Sequence, residues 1–246
     1  MMLFLLNLLV LLPLLPGMVH GEEEKVSTQA LLEARAKATL SSQIAARILK
    51  VTVEEGQSFT AGQLLIHFDC AIPQARLART QAELRAEQKK LDVNLRMKDM
   101  VGMSELEVAL ARANVERSQA EVGVAKAESD YCEVRAPYGG KVSKRHVNAF
   151  DSVGKGEALL DILDDSTLRV RLYIPALWSR WLQTGSSFSV TVPGSDQPAP
   201  ARVISLGAHV EPGSQTLGVI GEIQGSVTGL LPGLNVMANF SIPSKP

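Results

Sequence analysis

The sequence ARILKVTVEEGQSFTAGQLLIHF, residues 46–68, has a second version 94 positions later, GKVSKRHVNAFDSVGKGEALLDI, residues 140–162. The offset superimposes Ile48 on Val142. Each version alternates apolar and polar residues, turns at glycine and ends in an apolar run, which predicts a strand–turn–strand unit. Because neither unit can bury its apolar face alone, we expect the two to pack together as a small β-sandwich.

The segment between the two versions has the composition of a helical hairpin. Ala71 to Tyr131 is rich in Ala, Leu, Glu, Gln, Lys and Arg, which have high helix propensity. Apolar residues at heptad spacing predict one apolar seam on each arm, through which the arms pack. The predicted seam of the first arm is Leu77, Leu84, Leu91 and Leu95, and that of the second arm is Leu106, Leu110, Ala113, Ala120, Val124, Ala127 and Tyr131, with Arg117 as its polar exception.

The sequence also marks where the hairpin begins and where it reverses. Asp69 is placed to cap the first helix, and Gly102 suits the left-handed residue that follows a helix end. Ser104 and Glu107 have the spacing of a capping box, in which the Ser104 hydroxyl accepts the N–H of Glu107 and the Glu107 side chain returns to Ser104. The tip is therefore expected at 101–104.

The two predicted arms carry opposite charges. Residues 71–98 contain seven basic and three acidic residues, and residues 104–131 contain three basic and six acidic residues. This difference favours side-by-side pairing of the arms, although each exposed ion pair contributes only about 0.2–1 kcal/mol.

After the second version, the chain has the pattern of a small β-barrel or sandwich. A strand of alternating Leu168, Val170, Leu172 and Ile174 stops at Pro175. A short amphipathic helix is expected over residues 176–183. Further strands are expected at 187–192, 201–209, 217–223 and 235–242.

The first twenty residues differ from the rest. Leu3 to Leu15 is almost wholly apolar and is followed by Pro16 and Gly17, which is the pattern of a secretory signal peptide. The apolar run is short for a membrane span, which needs about 20 residues, and Pro13 interrupts it. Export by a signal peptide is the favoured prediction, and an uncleaved N-terminal anchor is the alternative.

The composition excludes one class of function. The net charge is −1 and only 4% of the residues are aromatic. A nucleic-acid-binding protein would show a basic balance or aromatic stacking platforms. Hydrophobic residues make up 46% of the chain, which is enough for packed cores.

Four motifs and their order carry a resemblance to a known family. They are VTVEEGQSFTAGQLL at 51–65, VRAPYGGKV at 134–142, VRLYIP at 170–175 and LPGLNV at 231–236, with the predicted hairpin between the first two. In this arrangement the chain resembles the membrane fusion proteins (HlyD-like), the periplasmic adaptors of tripartite RND-type efflux pumps and related exporters.

The resemblance implies a mainly β fold with a long α-helical hairpin. A lipoyl-like (barrel-sandwich hybrid) domain is split by the hairpin and followed by a small β-barrel domain. The implied domains are a signal peptide or anchor at 1–21, an N-terminal segment leading into the β-domains at 22–40, the two lipoyl-like halves at 41–69 and 133–163, the hairpin at 70–132, the barrel at 164–242 and a tail at 243–246.

The resemblance also implies a role without catalysis. Family adaptors lie in the periplasm at the inner membrane, where they connect an inner-membrane transporter, RND-type in preference to ABC, to an outer-membrane TolC-like channel. Homo-oligomerisation in the assembled pump is implied as well. The barrel side would face the transporter and the hairpin tip would meet the channel.

Family tips often carry an arginine, an apolar residue and a serine at set spacing. Here Arg96, Met100 and Ser104 fill those roles at closer spacing. The residues expected to contact the partner at the tip are Arg96, Met97, Met100, Val101, Gly102 and Ser104.

The two cysteines of the chain, Cys70 and Cys132, directly flank the hairpin. Antiparallel arms bring these positions together, so a disulfide can form there in an oxidising compartment. The alternative is a pair of small buried residues that are too far apart to bridge, because helix axes pack about 8–10 Å apart and a disulfide needs a shorter Cα separation.

An alternative function is a lipoyl or biotinyl carrier with a prosthetic group. Carriers place a modified lysine on a tight turn between the two halves of the repeat, whereas here the helical segment occupies that place. The sequence MKDM at 97–100 only faintly resembles a biotinylation site. No cofactor is therefore expected.

No catalytic or metal-binding residues are expected. Met97, Met100 and Met103 carry thioethers that suit soft metals, but methionine more often fills an adaptable apolar surface. Asp161, Asp164 and Asp165 predict a turn after a strand rather than a pair of catalytic carboxylates.

Overall fold

The computed structural model describes residues 25–101, 104–192, 197–225 and 229–242. The predicted signal peptide or anchor and the predicted tail lie outside these residues. The fold class predicted from the sequence is confirmed, since the described chain is mainly β with two long helices. Within the described ranges, no helix has the length and apolar character needed to cross a membrane.

After β1, which the sequence does not predict, the elements follow the predicted order, with a 3₁₀ helix in place of the expected helix at 176–183. Their bounds are β1 (Lys25–Ser41), β2 (Ala46–Val51), β3 (Ser58–Phe59), β4 (Leu64–Phe68), α1 (Ala71–Val101), α2 (Glu105–Asp130), β5 (Glu133–Arg135), β6 (Gly140–Arg145), β7 (Ser152–Val153), β8 (Ala158–Pro175), the 3₁₀ helix (Ala176–Arg180), β9 (Ser187–Thr191), β10 (Ala199–Glu211), β11 (Thr216–Ile223) and β12 (Asn235–Ser241).

A barrel is closed by six strands of the described chain. β1 pairs with β12, β12 with β9, β9 with β10, β10 with β11, β11 with β8, and β8 with β1 again, all antiparallel. Leu168, Val170, Leu172 and Ile174 of β8 alternate into the core and are buried. Each such side chain contributes about 1.5–3 kcal/mol by leaving water. Closure leaves the barrel without an open sheet edge.

Residues 22–40 are expected from the sequence only to lead into the β-domains, but from Lys25 onwards they form β1. The first half of β1 completes the barrel, where Ala30 and Leu32 are buried. The second half runs on into the sandwich, where Leu40 pairs with Leu160 of β8. Two long strands, β1 and β8, therefore pass through both domains, and the domains share paired backbone instead of a loop.

The turn expected at Asp161, Asp164 and Asp165 is wrong, because all three lie within β8. The register of β8 on β1 shifts beside them, as at a β-bulge. The Asp164 carboxylate accepts the N–H of Ser166 at 2.9 Å, which satisfies a backbone donor at this irregularity. Burial raises the pKa of Asp164, but the hydrogen bonds from Ser166 and the charge of Arg35 together hold it below its ordinary value.

The two versions of the repeat meet and exchange strands in the sandwich. By the 94-residue offset, β2 corresponds to β6 and β3 corresponds to β7. In the structure β2 pairs with β7 and β3 pairs with β6, so each version completes the other's pairing. Equivalent residues are buried in the same core: Ile48 with Val142, Val53 with Val147, and Phe59 with Val153.

One carboxylate of β8 links β1 to the residue that directly follows β6. Asp161 accepts a hydrogen bond from the Thr39 hydroxyl at 2.6 Å and lies 2.9 Å from Nε2 of His146. The hydrogen bond from Thr39, followed by that from His146, holds the pKa of Asp161 below its ordinary value of 3.8. Because the folded pKa is the lower one, this stabilisation is present above pH 3.8 and is lost as the pH falls through the folded value.

The variant Thr39→Val is expected to raise the pKa of Asp161 towards 3.8, because its main hydrogen-bond donor is removed. At neutral pH we expect a loss of about 1 kcal/mol in the free energy of unfolding, which shrinks in acid. NMR titration of the Asp161 side chain measures the pKa, and urea unfolding at several pH values measures the stability. An unchanged pKa would contradict this account of the carboxylate.

Phe150 stands where the first version of the repeat has a glycine. Gly56 has φ +77° and Phe150 has φ +74°, in the left-handed region that a Cβ disfavours. The Phe150 N–H donates to the carbonyl of Ile48 at 2.8 Å, and the Arg47 guanidinium lies 5.4 Å from the ring centroid. The ring is 65% exposed, so it adds little to the core.

Replacing Phe150 by glycine is expected to leave the sandwich equally stable or to stabilise it by about 1 kcal/mol. The relief of the left-handed strain, about 1–3 kcal/mol, offsets both the lost contact with Arg47 and the added freedom of the unfolded chain. Phe150→Ala keeps the strain and loses the ring, so we expect it to be the less stable variant. Urea unfolding of both variants tests this order, and a glycine variant less stable than the alanine variant would show that the left-handed φ costs little here.

The hairpin is formed by α1 and α2, and the predicted seam is right for one helix and wrong for the other. In α1, the four predicted leucines are half-buried. In α2, the predicted seam lies in solvent, with Leu106 66%, Leu110 56% and Val124 62% exposed. The inward face of α2 is instead Val108, Ala111, Val115, Ser118, Val122 and Ala125. This face carries smaller side chains than the predicted one.

Candidate functional site

The hairpin leaves the sandwich through a covalently closed base. Cys70 and Cys132 form a disulfide with a Cα–Cα distance of 5.9 Å, and both side chains are buried in the sandwich core. The cysteines lie just outside the helices, where the chain is free to converge further than two packed helix axes. Close by, the Phe68 N–H donates to the carbonyl of Cys132 at 3.0 Å, and the Asp69 carboxylate accepts the N–H of Ala71 at 3.3 Å.

Two ion pairs join the arms within the described part of the hairpin. Arg76 pairs with Glu128 at 2.7 Å near the base, and Lys98 pairs with Glu105 at 2.8 Å near the tip. In both, α1 provides the cation and α2 the anion. The hydrogen bond and the charge of Lys98 hold the pKa of Glu105 below its ordinary value. Because these pairs are exposed, they define the alignment of the arms more than they stabilise it.

The start of α2 differs in detail from the predicted capping box. Ser104 is the N-cap, but its hydroxyl accepts the N–H of Leu106 at 3.2 Å. The N–H of Glu107 donates to the Ser104 carbonyl at 3.1 Å, and no described hydrogen bond returns from the Glu107 side chain. An N-cap oxygen can accept from either the second or the third helical N–H, and here the second is taken.

The predicted contact residues lie around this turn. Arg96 and Met97 are exposed near the end of α1, and Met100 is 83% exposed at the tip. Val101 is the last residue of α1, and Gly102 lies outside the described residues.

Two features of the tip are absent from the sequence prediction. The heptad pattern predicts Leu106 in the inner seam, yet this side chain is exposed and extends the apolar surface of the tip. The pair between Lys98 and Glu105 is the other, and its signal is two opposite charges on either side of the predicted reversal.

Three features of the described residues bear on metal or cofactor binding. No cluster of three His, Cys, Asp or Glu that could hold a metal occurs among them. A groove of 740 Å³ lies at the hairpin base, where Ile44, Ile72 and Tyr131 contribute to its lining. Lys98 is the lysine of the sequence that faintly resembles a biotinylation site. It lies in α1 and donates a hydrogen bond to the Glu105 carboxylate. This placement does not favour the carrier alternative.

Comparison with known families gives one clear match. The family model described as RND MFP, barrel-sandwich hybrid domain, matches residues 36–164. That range contains the whole hairpin and both halves of the sandwich.

Curated relatives match over only part of their own length. Nodulation protein NolF of Rhizobium meliloti is 27% identical over 172 residues, which are 64% of this chain and 47% of the relative. Multidrug resistance protein MdtA of Yersinia enterocolitica is 25% identical over 132 residues, which are 48% of this chain and 30% of the relative. Across these curated relatives, the matched part spans from 30% to 65% of the relative's own length.

Solved structures support the fold. A chimeric MacA–MexA protein, which contains the MexA α-hairpin domain of Pseudomonas aeruginosa, superimposes with a TM-score of 0.80 at 20% identity. The superposition covers 90% of this chain and 80% of the chimera. At this identity the likeness shows a shared fold.

Proposed function

The chain belongs to the RND-type membrane fusion proteins, and from this membership we propose that it is the periplasmic adaptor subunit of a tripartite efflux or export system. In this role it bridges an inner-membrane transporter, RND-type in preference to ABC, and an outer-membrane TolC-like channel. It works in the periplasm at the inner membrane, reached through a signal peptide or held there by an uncleaved anchor. Its action needs no catalytic group or cofactor, and it assembles as a homo-oligomer.

One observation carries the proposal: a helical rod interrupts a single β-sandwich. α1 has 31 residues, so it is about 46 Å long at 1.5 Å per residue. The disulfide and the hydrogen bonds at the base hold this rod on a packed core. Such a rod holds its tip at a fixed distance from the sandwich, which suits a bridge between two membrane proteins.

The tip is the proposed contact with the channel. Met100 presents an adaptable apolar side chain there, with the cationic Arg96 one turn away. Ser104 caps α2, and the pair of Lys98 with Glu105 joins the start of α2 to the end of α1. The proposed contact set remains Arg96, Met97, Met100, Val101, Gly102 and Ser104.

Site-specific photocrosslinking in intact cells tests the bridge. A photoreactive residue at Met100 is expected to capture an outer-membrane channel, identified by mass spectrometry. The matched position is Tyr173, which is exposed on the barrel and is expected to capture an inner-membrane transporter instead. Capture of the same protein from both positions, or of no envelope protein from Met100, would contradict the proposal.

Intact mass of the purified mature protein tests the carrier alternative. The adaptor role predicts the mass of the unmodified chain with one disulfide. An additional mass equal to a lipoyl or biotinyl group would overturn the adaptor role. The same measurement reports whether the N-terminal segment has been removed.

A further inference from the structure

The exposed apolar surface of the hairpin tip consists largely of thioethers. The large apolar side chains described as exposed there are Met97, at 41%, Met100, at 83%, and Leu106, at 66%. Met100 is the most exposed large apolar side chain among the described residues. Met97 precedes it by three positions, so the two methionines lie on the same face of α1. Two of the three side chains that make the tip apolar therefore contain sulfur.

These thioethers are the most accessible sulfur atoms in the described part of the chain. Cys70 and Cys132 form a disulfide and are buried, so the chain has no free thiol that would react with an oxidant first. The third described methionine, Met237, is half-buried in β12, which lies between β1 and β9. Because oxidation depends on access to the sulfur, Met100 is expected to be oxidised before Met237.

The disulfide also indicates the redox environment in which the folded chain works. Disulfides form and persist in oxidising compartments, and the proposed periplasmic location is one of these. A peroxide molecule is small, and the exposed Met100 side chain gives it direct access to the sulfur. The tip is therefore open to peroxide wherever the adaptor works.

Oxidation adds a single oxygen atom to the side chain. The Met100 sulfur attacks a peroxide oxygen, an S–O bond forms as the O–O bond breaks, and the second oxygen leaves as water. The sulfur loses two electrons and the peroxide gains them. The resulting sulfoxide is polar, so burying it against an apolar partner has a desolvation cost. A dithiol reductase reverses the step, because the sulfoxide oxygen leaves as water while two thiols become a disulfide.

The fold around the tip does not depend on the Met100 side chain. Because this side chain is mostly in solvent, it adds little to the packing of the hairpin. Other contacts hold the reversal: the Ser104 hydroxyl accepts the N–H of Leu106, and Lys98 pairs with Glu105. Oxidation is therefore expected to change the surface of the tip without changing the stability of the fold.

We propose that Met100, together with Met97, is a reversible oxidation site, and that its sulfoxide form prevents the tip from docking on the outer-membrane channel. This inference rests on the proposed adaptor function and deepens it by naming a modification that regulates the same site. Peroxide uncouples the chain from the channel until a reductase restores the thioether.

Limited oxidation of the purified full chain tests the site itself. Hydrogen peroxide is expected to add the mass of one oxygen atom to Met100 about threefold faster than to Met237, as measured by peptide mass spectrometry. Far-ultraviolet circular dichroism and thermal unfolding are expected to stay unchanged at that stage. Oxidation of Met237 at the same rate, or loss of helix when only Met100 is modified, would overturn the inference.

Photocrosslinking from Leu106 tests the consequence, because this probe position leaves both tip methionines in place. Brief treatment of cells with hydrogen peroxide is expected to lower channel capture about tenfold, as for the lost burial of one methionine side chain. In Met97→Leu/Met100→Leu, capture is expected to be the same before and after treatment, whatever its starting level. The matched control Met237→Leu is expected to lose capture as the wild type does. Capture should return once the peroxide is removed.

The outcomes separate this inference from the adaptor function. Unchanged capture after verified oxidation of Met100, an equal fall in the double leucine variant, or a permanent loss of capture would overturn the reversible switch. None of these results contradicts the adaptor function, since untreated cells still show the channel contact. If neither Leu106 nor Met100 captures an envelope protein in untreated cells, the adaptor function is contradicted, and the proposed regulation with it.

Discussion

Removal of the Cys70–Cys132 disulfide is expected to lower the free energy of unfolding by about 4 kcal/mol. The bond closes a loop with a sequence separation of 62 residues, and a cross-link over this length restricts the unfolded chain by roughly that amount. The loss should concentrate in the sandwich and the hairpin, because the bond lies between the sandwich core and the ends of both helices. The barrel has its own core and is expected to change little.

The measurement is urea unfolding followed by far-ultraviolet circular dichroism, with and without a reductant. Cys70→Ala/Cys132→Ala is expected to match the reduced wild type and to be insensitive to the reductant. Alanine is the appropriate replacement because both positions are buried and a serine hydroxyl there would need a partner. A reduced protein as stable as the oxidised one would show that the base is held by packing alone.

Replacing Gly140 by alanine is expected to destabilise the sandwich by about 2–3 kcal/mol. An added Cβ would overlap the carbonyl oxygen of Leu163 in β8 and approach the backbone of Asp164. No side-chain rotation relieves an overlap with backbone, so β6 must move away from β8. The pairing of β3 with β6, through Phe59 and Gly140, would be strained as well.

The neighbouring glycine provides the control. A Cβ at Gly139 would meet its nearest atom, the carbonyl oxygen of Phe59, at 3.6 Å, which is an ordinary contact. Gly139→Ala is therefore expected to stay within about 1 kcal/mol of the wild type. Thermal unfolding of both variants distinguishes the positions. Equal losses would mean that the flexibility of this segment matters, and not the approach of β6 to β8.

The hairpin shows how far sequence reasoning reaches. Helix propensity and the charges of the arms are local properties, and they predict two antiparallel helices with a reversal near Ser104. The phase of the α2 seam is different, because two heptad patterns run along the same helix. The pattern with the larger side chains, such as Leu110 and Val124, predicts the seam. The structure places the smaller set inward, on the side where the leucines of α1 are half-buried.

The sequence predicts the position of the candidate site but not all of its contacts. The sequence places Met100 and Ser104 at a helical reversal, and the structure describes both there. It did not predict the pair between Lys98 and Glu105, because that contact depends on how far α1 extends before α2 begins. Whether the tip residues bind a channel is a question for the crosslinking experiment above.

By itself, the sequence determined that one β-unit is repeated, that a helical pair separates its halves, and that short strands follow. Periodicity, glycine turns and helix propensity act between residues close along the chain, so they can be recognised there. Only the tertiary structure decided that β1 closes the barrel, that the repeat exchanges strands, and that one apolar face of α2 stays in solvent. These outcomes depend on which distant surfaces fill the same space, and neither propensity nor spacing along one strand or helix contains that information.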